Sequence, residues 1–433
     1  MRKFLLVVAI VICCIPVTVR ASDKADARPR AALKACKYAI GSDKTQALNA
    51  QCGTLTVPED WTNPTGATLT LKFTVLPPTN KNATGLPIFH LEGGPGGAAI
   101  DNFSQVWYVP YEGIREEHAV VLMDQRGTGT SGPLSCTEQI GAPLSDIQKP
   151  ITLAQETDAE KAALQRCFAR IAKKTDPRTY TSNSAADDLD ALRETLGYDQ
   201  INVFGNSYGT SLAQTYLRRH GEHVAGMVLD SVTGPWNHYQ LEFGENVEAS
   251  FGAAVALCMA DTACNKAYPK LNDQFTKLMA GLKAKPVSRF AGIAGRAPRQ
   301  KVVITDRRFA RILIAMLYRS DVIPYIPQLI QSAIKGNYDT IALSLLAGAV
   351  GGRNSSLNGM YFSVECSEVV QFYTEDLLGE NASATRFTSA DEPRALRALC
   401  DAWPSAELSE EDVAPVVSDR PVLILSGGLD PVT

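Results

Sequence analysis

The chain has 433 residues, 45% of them apolar and 20% charged, with a formal net charge of -4. That is enough apolar mass for one large domain carrying an insertion, or for two domains. Acidic residues outnumber basic ones and no long basic run occurs, which argues against nucleic-acid binding.

The first twenty-one residues read as a secretory leader: Arg2 and Lys3, an apolar run from Phe4 to Val19 broken by Pro16, and Val19-Arg-Ala21 as a cleavage site. Sixteen residues with an internal proline are short for a membrane span, so no stable membrane anchor is expected and the mature protein should be secreted or periplasmic. Loss of Arg2, Lys3 and Arg20 takes the charge from -4 to -7. Eight cysteines remain, an even number that suggests disulfides in an exported protein, and eight permit 105 pairings. Pairing of sequence neighbours (36 with 52, 136 with 167, 258 with 264, 366 with 400) would close four modest loops.

Two alternating segments, Gly53 to Pro58 and Ala67 to Leu76, predict a hairpin-like strand pair. Leu86 to Leu91 and Ala119 to Met123 predict short buried strands. Each runs into a glycine-rich loop, Glu92-Gly-Gly-Pro-Gly-Gly97 and Asp124-Gln-Arg-Gly-Thr-Gly129. A helix is expected over Ala185 to Leu196, with Ser184 and Asp187 as a capping box and Gly197 as its stop. Ile201 to Gly205 then reads as a strand entering the sharp turn Gly205-Asn-Ser207-Tyr-Gly209, with an amphipathic helix behind it. Such a turn projects the Ser207 hydroxyl and aims a helix N-terminus at it; a plain turn with Ser207 as cap is the simpler alternative. Gly226 to Asp230 predicts one more strand, and strands alternating with helices argue for α/β architecture with a mostly parallel central sheet.

From Ser231 to Glu411 that rhythm is lost. Helical patterns at Phe251 to Met259, Asp306 to Tyr318 and Tyr338 to Leu346 are separated by loops such as Phe290 to Gln300. The expected organisation is a leader over 1–21, a first core segment over 22–230, a mainly helical lid over 231–411, and a return to the core over 412–433 through the strand Pro421 to Ser426.

Taken together and in this order, the motifs Cys52-Gly-Thr-Leu-Thr-Val-Pro58, Glu92 to Gly97, Asp124 to Gly129, Gly205 to Thr210 and Gly427-Gly-Leu-Asp-Pro431 resemble the α/β-hydrolase superfamily. The nearer resemblance is to its proline iminopeptidase and tripeptidyl aminopeptidase branch. The resemblance implies an α/β-hydrolase fold with a large helical lid, no cofactor or metal, and a peptide substrate. It implies Ser207 as nucleophile, the backbone amides of Gly94 and Tyr208 as oxyanion hole, and Asp430 as the acid. Lid carboxylates would hold the substrate's ammonium, with Glu242, Glu245, Glu365 and Glu368 as candidates. The family's histidine follows the acid, and the three residues after Asp430 contain none, nor the final strand and helix of such a fold. The expectation is therefore a fragment with little activity. Among the five histidines only His238 falls at the entry to the lid, while His90 and His118 belong to buried strands and His220 and His223 follow the helix behind Ser207. Two other readings stand beside the aminopeptidase: a secreted carboxylester hydrolase, and a catalytically dead fold that binds ligands or partners. The sequence leaves the oligomeric state undetermined.

Overall fold

The structure, a computed structural model, describes residues 33–41, 44–136, 146–234, 236–351, 357–380 and 384–432. The expected leader lies outside the described residues.

An eight-stranded sheet organises the molecule, in the order Lys34–Ile40, Gln46–Pro58, Thr68–Leu76, Val120–Met123, Ile88–Leu91, Ile201–Asn206, Val224–Asp230 and Val422–Leu425. The first three strands form an antiparallel meander and Thr68–Leu76 meets Val120–Met123 antiparallel; every later pairing is parallel. The registers Leu91↔Gly205, Asn206↔Asp230 and Leu425↔Asp230 bring the carboxyl ends of four parallel strands to one edge. Open α/β sheets present their working loops at that edge.

The helix before Ser207 starts three residues earlier than its pattern predicts, at Ser182–Leu196. Its cap is Thr181, whose hydroxyl accepts the Ser184 amide at 3.3 Å, so Ser184 lies inside the first turn. Gly197 ends it in the left-handed region at φ 77°, where a side chain would be strained. The next helix, Tyr208–His220, is buried along most of its length between that helix and the sheet. Its basic last turn favours the negative helix end, and Arg219 and His220 both reach Asp187, at 2.7 and 2.9 Å.

A fully buried ion pair locks the loop after Val120–Met123. Arg126 makes two 2.7 Å bonds to Asp188 and donates to the carbonyls of Glu59, Thr179 and Pro58 at 2.8, 2.8 and 3.3 Å. Burial pushes the Asp188 carboxyl above the ordinary aspartate range, and Arg126 pulls it back. Asp124 in the same loop accepts the Ile100 and Thr130 amides at 3.0 Å each. Both residues brace loops.

The stretch from 231 onward is mostly helical, including Tyr239–Ala260, Leu271–Ala284, Asp306–Leu317 and Asp339–Gly351. Its core centres on Phe251, Phe275, Phe309 and Phe387 and recruits Ile147 from the preceding segment. Conversely Met360, Phe362, Leu399 and Trp403 pack into the core of the main sheet. The expected loop at Phe290 to Gln300 is instead an antiparallel hairpin, Val287–Ile293 with Ala297–Ile304. Gly292, Gly295 and Pro298 suggest a loop, but Val287 to Ile293 alternate half-buried and exposed, the period of a strand.

Four disulfides among the described residues join Cys36 to Cys52, Cys136 to Cys167, Cys258 to Cys264 and Cys366 to Cys400, the pairing that sequence proximity suggests. No described helix is long and apolar enough to cross a membrane.

Candidate active site

Ser207 stands between Ile201–Asn206 and Tyr208–His220 with φ 52° and ψ -125°. A non-glycine residue in that region carries about 1–3 kcal/mol of strain and persists only where its surroundings hold it. The neighbouring glycines explain how the turn is held. A Cβ on Gly205 would meet the Gly209 carbonyl at 2.4 Å, and one on Gly209 would meet the Leu91 carbonyl at 2.1 Å. The Ser207 amide donates to the Asp230 carbonyl at 3.0 Å, pinning the turn to the next strand.

The Glu92 to Gly97 loop passes over this turn so closely that a Cβ on Gly93 would lie 3.3 Å from Ser207 Oγ. Gly94 and Gly96 have φ values of 126° and 104°, open only to glycine. Asn358, from the far end of the chain, donates to the Gly96 carbonyl at 2.7 Å and occupies the space a side chain on Gly96 would need. Tyr208 is the first residue of its helix, so its N–H has no acceptor in the helical ladder. Gly94 and Tyr208 line the same cavity as Ser207, which has a volume of about 630 Å³.

Asp430 reaches that cavity from the loop after Val422–Leu425. Ser231 donates to its Oδ2 at 2.8 Å, and the Val432 amide donates to its Oδ1 at 2.9 Å. Ser231 itself has φ 58°. The long helix Tyr239–Ala260 grips this loop from the other side, with Ser250 donating to the Leu429 carbonyl at 2.8 Å and Asn246 to the Val432 carbonyl at 3.1 Å. Burial and the Asp430 charge together push the Asp230 carboxyl upward. Tyr239, Leu317, Tyr318, Ser320 and Ile323 close the cavity from the helical side.

The four lid glutamates do not line this cavity. Glu242 and Glu245 are exposed on Tyr239–Ala260. Glu365 and Glu368 are buried and turned inward: Tyr239 and Gln240 donate to Glu365, while the Ser182 amide and hydroxyl each donate to Glu368 at 2.6 Å. Burial is the main cause that pushes both carboxyls up to about 7. Ser182 Oγ also lies 2.8 Å from the Tyr208 hydroxyl, which links Glu368 to the residue after Ser207.

No histidine lines the cavity among the described residues. His90 stacks on Phe204, His118 bonds the Leu86 carbonyl, His220 bonds Asp187 and His223 bonds the Asp199 carbonyl. His238 packs edge-on against Tyr373 at the start of the lid helix. A larger cavity of about 1000 Å³ lies within the helical part, where Arg307 and Arg311 are paired with Glu156; it contains none of the groups above.

Sequence reasoning assigned no role to Ser231, Tyr239 or Glu92, all of which line the Ser207 cavity. Glu92 is the first residue of the glycine loop, and a carboxylate directly before such a loop is the signal by which it could have been found.

A family model described as alpha/beta hydrolase fold matches residues 87–306. A tripeptidyl aminopeptidase from Streptomyces lividans is 31% identical over 270 residues, covering 56% of this chain and 48% of that protein. The serine protease Hip1 of Mycobacterium tuberculosis is 27% identical over 224 residues, covering 50% of this chain and 42% of its own length. A proline iminopeptidase from Neisseria gonorrhoeae is 26% identical over 151 residues, covering 35% and 34% respectively. The chain spans about half the length, or less, of these curated relatives.

Proposed function

Because the chain belongs to the α/β-hydrolase fold family, we propose that it is an exported serine peptidase that removes short peptides or single residues from a free amino terminus, through an acyl-enzyme at Ser207. The observation that carries this reading is Ser207 at φ 52°, held in one cavity with Gly94, Tyr208 and Asp430. A carbonyl attacked by the serine becomes an oxyanion, and each preorganised amide donor lowers that barrier by about 3 kcal/mol. Relatives named tripeptidyl aminopeptidase, proline iminopeptidase and serine protease support the peptide substrate. Four disulfides fit an oxidising compartment.

In this reading Asp430 orients and stabilises an imidazole that takes the serine proton. No histidine stands at that place among the described residues, and a serine hydroxyl without such a base stays protonated and reacts slowly. The test is chemical rescue. A fluorophosphonate should label Ser207 slowly and not label Ser207→Ala, as read by peptide mass spectrometry. Added imidazole should accelerate the labelling. Equal labelling of Ser207→Ala, or no adduct at Ser207 with imidazole present, would overturn the proposal. Comparing p-nitrophenyl acetate with amino-terminal chromogenic peptides separates the peptidase from a carboxylester hydrolase.

A further inference from the structure

We propose that Glu92 is the cation-recognition group of the Ser207 cavity and takes the protonated terminal amine of the substrate, a role that rests on the aminopeptidase reading above. The cavity is lined by two carboxylates, Glu92 and Asp430, and by no lysine, arginine or histidine among the described residues. A low-dielectric pocket of that charge favours a cation over a neutral or anionic group.

The two carboxylates are not equivalent. Asp430 has Ser231 on one oxygen and the Val432 amide on the other. Glu92 has a side chain only 10% exposed, and among the described residues its side chain is bonded only by His90, whose Nε2 lies 3.4 Å from Oε2. That imidazole is fixed in turn: Nδ1 lies 3.1 Å from the Tyr111 hydroxyl, and the ring stacks on Phe204 at 5.3 Å. Oε1 of Glu92 accepts no hydrogen bond from the described residues. One oxygen is thus oriented from behind and the other is left for a ligand. Gly97 makes room for this side chain, since a Cβ there would approach Glu92 Cγ to 2.7 Å.

Position supports the same role. Glu92 directly precedes Gly93, the residue whose Cβ would sit 3.3 Å from Ser207 Oγ. An amine held by Glu92 is therefore close to the carbonyl under attack, which suits a short acyl segment between the two. The lid glutamates are unsuited to this task here, because Glu365 and Glu368 are bonded inward and Glu242 and Glu245 lie outside the cavity.

The test is binding in a Ser207→Ala background, which prevents turnover, by calorimetry with a tripeptide amide carrying either a free or an acetylated amino terminus. The free amine should bind about tenfold tighter or more. Glu92→Gln, which keeps shape and removes charge, should erase that preference and leave the acetylated peptide's affinity unchanged. Retention of the preference in Glu92→Gln overturns the proposal, as does its loss in Glu365→Gln alone. Should Glu92→Gln melt early, Glu92→Met is the second uncharged variant, and an undiminished preference there likewise overturns it. A chain that labels at Ser207 yet binds both peptides equally refutes amine recognition while leaving the serine hydrolase intact. One that fails to label fails at the earlier step.

Discussion

Replacing Arg126 by methionine tests the account of the loop that follows Val120–Met123. The substitution keeps an unbranched stem and deletes five hydrogen bonds, two to Asp188 and three to the carbonyls of Glu59, Thr179 and Pro58. Among the described residues Asp188 then keeps only the Trp61 indole as a donor, at 3.0 Å, with its side chain fully buried. Removing one partner of a buried pair costs about 3–5 kcal/mol, mostly because the other charge is stranded. Taking about 4 kcal/mol and a urea slope of about 3 kcal/mol/M, the midpoint should fall by about 1.3 M. The deficit should also depend on pH. Without Arg126, burial acts on Asp188 with only the Trp61 hydrogen bond against it, so its folded pKa rises further above the unfolded value. Such a group contributes stability while protonated and loses it as pH rises through the folded pKa, so the variant should be weakest at neutral pH and recover on acidification. Urea unfolding followed by circular dichroism at acidic and neutral pH reads both effects. Replacing Asp188 by leucine as well should restore most of the midpoint, because an apolar pair avoids the desolvation cost. A midpoint shift under about 0.3 M, or a double variant no better than the single one, would refute the reasoning.

Gly209→Ala should lower the melting temperature and Ser207 labelling together, because the added methyl would stand 2.1 Å from the Leu91 carbonyl; thermal melts and phosphonate labelling check it. Glu368→Gln should flatten the dependence of stability on pH. Glu368 is raised from 4.5 to about 7, so its contribution is full below the unfolded value and lost as pH rises through about 7. Melting temperatures across that window, with the wild type falling more steeply than the variant, check the sign.

Much of the sheet is legible in the sequence because its strands are short apolar runs closed by glycine loops, and glycine is needed where backbone meets backbone. Ser207, Gly94 and Asp430 could be picked out by their motifs although they are far apart in the chain. The lid was harder. Glu365 and Glu368 have the chemistry to hold a substrate amine, and nothing in Phe362 to Glu368 says that Ser182 lies behind one of them and Tyr239 beside the other. Those contacts span more than a hundred residues, beyond the reach of local pattern. The hairpin at Val287–Ile304 was hidden for a different reason, since its glycines and proline punctuate the stretch as a loop would. The start of the helix before Ser207 is not legible locally, because three hydroxyl residues, Thr181, Ser182 and Ser184, compete as caps and backbone geometry chooses among them.

The grip of Tyr239–Ala260 on the acid loop bears on how this protein can be re-engineered. Ser250 and Asn246 are anchors for the segment that presents Asp430, so the helical part is not a detachable module. Grafting a foreign lid at its two junctions would exchange the roof of the pocket and, in the same stroke, unmoor the carboxylate beneath it. A successful chimera must carry both anchors across.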